Sequence, residues 1–145
     1  MQNMTSNWEV SALVRQWQRD GERIGFVPTM GNLHDGHLRL VKAAQQNTDR
    51  VVVSIYVNPM QFGPQEDLTN YPRTLEKDML KLANVNVDLV FNPNDETMYP
   101  EGRAACSYVE VPPQLTEGLE GAHRQHHFRG GDRSIGRPGF VFQPW

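Results

Sequence analysis

The run Arg50-Val51-Val52-Val53-Ser54-Ile55-Tyr56-Val57 constrains the fold more than any other part of this 145-residue chain. It is β-branched and almost continuously apolar, the composition of a strand covered on both faces rather than one with a wet side. A partner strand is expected over 23–28, around Ile24-Gly25-Phe26-Val27, with Pro28 ending the ladder because it has no N–H to donate. Between the two runs, residues 36–48 place Leu38, Val41 and Ala44, with Leu40, on one helical face. Strand, helix and strand over 23–57 form a crossover long enough to join parallel neighbours, with a right-handed connection.

The flanking segments extend the same plan. Trp8, Leu13, Val14 and Trp17 recur at helical spacing over 7–20, and Gly21 is a natural stop. Leu75, Met79, Leu80 and Leu82 predict a helix to about Ala83, entered through Tyr71-Pro72. Val87-Asp88-Leu89-Val90-Phe91 reads as a third strand, and Ser107–Val111 alternates as an edge strand should. The expected class is α/β, a doubly wound parallel sheet occupying residues 1–130. Residues 131–145 are rich in Gly, Arg and Pro before a final apolar run and have no period, so a divergent, disordered tail is expected there.

Composition removes several function classes. A net charge of −3 argues against general affinity for nucleic acid or anionic membranes, although residues 121–145 carry four arginines against one aspartate. The lone Cys106 excludes an intrachain disulfide and fits a reducing compartment. No signal pattern opens the chain and no apolar run approaches membrane length, so a cytoplasmic location is expected.

The chemistry-bearing stretch is Pro28-Thr29-Met30-Gly31-Asn32-Leu33-His34-Asp35-Gly36-His37. It lies at a strand-to-helix turn, where a parallel sheet offers a helix N-terminus to a phosphate. His34 and His37 could each donate to a phosphate oxygen, and Gly36 leaves room for a ligand; alternatively one histidine caps the helix and the other is merely exposed. With His123, His126 and His127 they make five histidines, but no cysteine pair or His-Glu-x-x-His pattern accompanies them, so no metal site is expected. Asn58 and Gln61 follow the central strand, where their amides suit hydroxyl or carboxylate recognition, or simply form a solvated turn. Arg73 is either exposed or within reach of a phosphate. Glu120, Arg124 and His127 lie in a glycine-containing basic run that is either an anion-facing loop or a solvated segment.

Taken together, these blocks resemble the pantothenate synthetase (pantoate–β-alanine ligase) family from about residue 13 to Gly130. Pro28–Gly31 with His34–His37 looks like the family's His-x-Gly-His nucleotide signature, and Val57–Phe62 resembles its substrate loop. Tyr71–Thr74, Leu119–Gly121 and His127–Gly130 are further matches. The resemblance implies a Rossmann-like nucleotidyltransferase sheet and two half-reactions. Pantoate carboxylate attacks the α-phosphorus of ATP, giving pantoyl adenylate and pyrophosphate; the amine of β-alanine then attacks the acyl carbon, releasing pantothenate and AMP.

It implies ATP at Met30, Gly31, Asn32, Leu33, His34, Asp35, Gly36 and His37, with His37 as proton donor, His34 against the phosphates and Mg2+ on them. Gln61 with Asn58 would hold pantoate, and Arg124 and His127 would face the ligands from the other side. A homodimer fits the family habit. His123, Gln125 and His126 depart from the family's usual Ser, Pro and Gly. Past Gly130 the family's Gly-Glu-Lys-Asp segment and Ser-Ser-Arg loop have no counterpart, the pattern of a shifted reading frame or broken gene. Little or no synthesis by these residues alone is the expectation. A non-catalytic remnant with nucleotide binding and a different nucleotidyltransferase are the other readings.

Overall fold

The computed structural model describes residues 1–62 and 72–102. The expected edge strand over 107–111, the tail over 131–145, and the candidates Arg124 and His127, with His123 and His126, lie outside them. In chain order the elements are β1 (Gln2–Met4), α1 (Asn7–Arg19), β2 (Ile24–Thr29), α2 (Asp35–Asn47), β3 (Arg50–Ile55), a 3₁₀ turn (Pro59–Gln61), α3 (Leu75–Asn84), β4 (Leu89–Phe91) and α4 (Asp95–Met98). The strands form one sheet in the order β1-β4-β3-β2, and every pairing is parallel.

The apolar run that dominates the sequence becomes β3, an inner strand with Val51 to Ile55 all buried. Its side chains alternate between two cores. Val51, Val53 and Ile55 join Val27 and Val90 against Val41 of α2 and Leu82 of α3. Val52 joins Leu89 and Phe91 against Val10, Val14 and Trp17 of α1. Helices therefore cover both faces, which is why this strand could be apolar throughout. Burying each such side chain contributes roughly 1.5–3 kcal/mol. Gly25 sets how closely α2 packs: a Cβ there would lie 2.7 Å from Thr48 Oγ1 and 3.1 Å from Ala44 Cβ.

Three expectations are corrected and one strand is added. Pro28 does not end β2; it pairs with Ser54 and the strand continues to Thr29. This is tolerated because β2 is an edge strand among the described residues, where a missing N–H breaks no outer ladder. Gln2–Met4, too polar to suggest a strand, is recruited by pairing with Leu89, Val90 and Phe91. On α1 the buried stripe is Val10, Val14 and Trp17, whereas Trp8 is 84% exposed. Leu40 and Leu80 also face outward, and on α3 the fully buried positions are Asp78 and Leu82.

The amino ends of the strands are tied by charge. Arg50 binds Glu22 at 2.8 Å and Asp88 at 3.1 Å, and it lies 5.4 Å from the centroid of the Trp17 ring. Asp88 also accepts from the Val51 N–H at 2.8 Å. The bonds to Glu22 and then Asp88 raise the Arg50 guanidinium further above its ordinary range.

Candidate active site

At the carboxyl end of β2 the chain turns through Met30–His34 into α2. Thr29 starts the turn: its hydroxyl donates to the Ser54 carbonyl at 2.8 Å and accepts from the Gly31 N–H at 3.2 Å. Gly31 and Asn32 follow with φ of 81° and 49°. The turn they form aims the consecutive N–H groups of Asn32 and Leu33 at one anion. That anion comes from α3. Asp78, 1% exposed, accepts from the Asn32 N–H at Oδ2 and the Leu33 N–H at Oδ1, both at 2.8 Å. The Thr74 hydroxyl donates to Oδ2 at 3.0 Å, and the Lys81 ammonium donates to the Leu33 carbonyl. A Cβ on Gly31 would meet Asp78 Oδ2 and Ile55 Cγ2 at 3.3 Å, so both φ and space call for glycine.

His34 is the N-cap of α2, and the two histidines form a reciprocal capping box. His34 Nδ1 accepts from the Gly36 N–H at 3.1 Å, and His37 Nδ1 accepts from the His34 N–H at 3.3 Å. The rings lie 4.2 Å apart, tilted by 49°. An Nδ1 that accepts carries no proton, so each neutral ring holds its proton on Nε2. Each Nε2–H is thus a donor that the cap leaves available. Partial burial is the largest cause holding the His37 pKa below its ordinary value; His34 and Lys81 lower it further and Asp78 opposes them. Neutral His37 is therefore the form present at pH 7.

The carboxyl ends of β3 and β4 border a cleft of about 430 Å³ beside this turn. Tyr56, Arg73, Thr74, Asp78, Asn94 and Asp95 line it, so Asp78 stands between the cleft and the turn. Asn58 is fully buried; its Oδ1 accepts from the Met60 N–H at 3.0 Å and the Tyr99 hydroxyl at 2.7 Å. It caps the 3₁₀ turn that carries Gln61. Arg73 is exposed at the cleft.

The structure thus brings Met30 through His37 together at one strand end and places Gln61 after the neighbouring strand. It also separates their tasks. Leu33 points into the core at 2% exposure. The N–H groups of Gly31, Asn32, Leu33, His34 and Gly36 are all engaged within the protein. Gly36 makes room for the protein itself: a Cβ there would sit 2.8 Å from His34 Cε1. The residue that sequence reasoning missed is Asp78. Its available signal was a carboxylate one helical turn before Leu82, on the same face.

The architecture is that of a parallel α/β domain whose carboxyl edge presents imidazole donors from a strand-to-helix turn. Comparison with known proteins makes this specific. The Pantoate-beta-alanine ligase family matches residues 2–133, and the chain belongs to that family. It is 62% identical over 117 residues to the pantothenate synthetase of Photobacterium profundum, covering 81% of this chain and 39% of that protein. For the Aliivibrio fischeri pantothenate synthetase the identity is 52% over 131 residues, covering 90% and 45%.

Among solved structures, the Thermus thermophilus pantothenate synthetase superposes with a TM-score of 0.88 at 44% identity, covering 99% of this chain and 50% of that one. The Francisella tularensis ligase, solved in complex with β,γ ATP and β-alanine, gives 0.89 at 35% identity, covering 99% and 54%. The chain spans about half the length, or less, of these relatives.

Proposed function

We propose that this chain supplies the ATP-binding part of pantoate–β-alanine ligation, forming pantothenate through a pantoyl adenylate with release of pyrophosphate and AMP. The observation that carries the proposal is the capping box. It turns both Nδ1 atoms inward and leaves the Nε2–H groups of His34 and His37 as paired donors at the sheet's carboxyl edge. Such donors stabilise phosphate charge as the α-phosphorus is attacked, and a fixed donor loses no energy to reorganisation during the step. His37 has the role of donor to the reacting phosphate and His34 lies along the phosphate chain. His37 acts as a neutral imidazole.

Met30, Gly31, Asn32, Leu33, Asp35 and Gly36 serve ATP by shaping the turn; Asn58 serves pantoate by holding the loop from which Gln61 binds it. Arg124 and His127 are proposed to close the site from the far side. Among the described residues no three His, Cys, Asp or Glu side chains converge as a metal cage. Magnesium is assigned to the ATP phosphates as part of the substrate, its usual mode with nucleotides. A nucleotide-binding domain over residues 1–130, a divergent tail over 131–145, a cytoplasmic location and a homodimer complete the proposal.

The 39% to 45% coverage of full-length relatives favours one further reading, in which the isolated chain binds ATP without completing synthesis. Calorimetry with ATP, followed by pantoate-dependent exchange of labelled pyrophosphate, tests both. ATP binding with weak or no exchange, and exchange restored when a family C-terminal half is joined, is the expected result. A folded chain that binds no ATP would refute the proposal.

A further inference from the structure

The turn at Gly31 and Asn32 presents two consecutive main-chain N–H groups to an anion, yet they are not open to a ligand. A carboxylate from another helix, four residues past its N-cap, occupies that place. We propose that Asp78 is a positioning residue that sets the direction of the His34 and His37 donors, assisted by Lys81; this rests on the reading of that turn as the ATP site. Asp78 places one oxygen on each of two consecutive N–H groups at 2.8 Å. Lys81 takes the carbonyl of Leu33, so the peptides on both sides of that residue are held from α3. The next residue is His34, whose main chain caps His37 and whose side chain caps Gly36. Fixing residues 31–33 therefore fixes where the helix starts and how both rings lie.

A carboxylate suits this task. Asp78 gives each N–H a different oxygen, and an amide in the same position offers only one. In D78N one N–H would face an NH₂ group, leaving a buried donor unmet in a site 1% exposed. The turn would open while the sheet, held by its strand ladders and by the core under α1, remained. The three-residue spacing from Asp78 to Lys81 puts both on one side of α3, which is the side that meets the turn.

The test compares wild type and D78N in the full chain by ATP calorimetry, amide hydrogen exchange at Asn32 and Leu33, and NMR titration of His37. The proposal expects ATP affinity to fall tenfold or more, the two amides to lose protection, and the His37 midpoint to rise toward its ordinary value as the ring regains water. The direction of that last shift discriminates. If Asp78 acted only through its charge, its loss would lower the His37 midpoint further, because its field raises it. A lower midpoint with both amides still protected would overturn the proposal, as would unchanged ATP affinity.

Should D78N not fold, Thr74→Val keeps the carboxylate and removes one of its bonds. It is expected to speed exchange at Asn32 and weaken ATP binding two- to threefold, and no change in either would overturn the proposal. If neither protein binds ATP, the functional reading fails while exchange and titration still decide the positioning role.

Discussion

The two ends of the sheet treat charge in opposite ways. At the amino end, Arg50 is matched by Glu22 and Asp88, and Arg23 by Asp49 at 3.1 Å, so charge is cancelled by side chains of opposite sign. At the carboxyl end, the buried carboxylate of Asp78 is matched by main-chain N–H groups, and the histidines are matched by amides on their Nδ1 sides alone. The first arrangement closes on itself and ties β3 to its neighbours. The second satisfies the inward-facing groups of the turn and leaves imidazole N–H groups facing outward. A functional edge is recognised by that residue of unspent hydrogen-bonding capacity.

The comparison breaks if the outward donors prove idle. His37→Ala removes one donor to a charged phosphate, an interaction typically worth about 1.5–3 kcal/mol, so calorimetry should show ATP binding weakened about tenfold to a hundredfold. Gly31→Ala should destabilise the fold by about 1–2 kcal/mol in denaturant titration, since a left-handed φ of 81° is forced on a residue with a Cβ. It should also weaken ATP binding, which an equally destabilising change at the amino end should not.

The donors were legible in the sequence and their support was not. The apolar run over 50–57 and the crossover over 23–57 identified a parallel sheet because burial on both faces leaves an unmistakable composition. The His-x-Gly-His turn could be placed because a strand precedes it and a helix follows. Asp78 was hidden by the attraction of Leu75, Met79, Leu80 and Leu82. Reading apolar residues as the buried face pulls the helix axis round, yet Leu80 is 66% exposed and Asp78 is buried. A buried carboxylate is visible only through its partners, and the two main-chain ones lie 45 and 46 residues away in sequence. Trp8 misled for the same reason, and Gln2–Met4 is a strand only because β4 offers it an edge.

Acid sharpens the contrast between the two ends. His37 is held below its ordinary value of 6.5 when folded, so the unfolded chain binds the proton more readily. This contribution to stability is complete above pH 6.5 and declines as pH falls below it, first because burial disfavours the charged ring, and His34 and Lys81 add to that. Unfolding midpoints across pH 7 to 5 should fall, and His37→Gln should flatten the dependence. The Asp49 carboxylate, held low by its bonds to Arg23, stays ionised over that range, so the amino end should not contribute.

Arg50→Met should lower Tm modestly, with ATP affinity unchanged, because its partners Glu22 and Asp88 are only partly buried and regain water. Trp8→Ser should alter neither, as its ring is 84% exposed.

The central claim is that His34 and His37 donate from Nε2 to ATP while their Nδ1 atoms remain engaged with the main chain. Long-range proton–nitrogen NMR of the imidazole rings during an ATP titration at pH 7 addresses it directly. The account predicts that both Nε2 resonances move with ATP while both Nδ1 resonances keep the shift of an unprotonated acceptor. Nε2 resonances indifferent to saturating ATP, or a proton found on Nδ1, would contradict it.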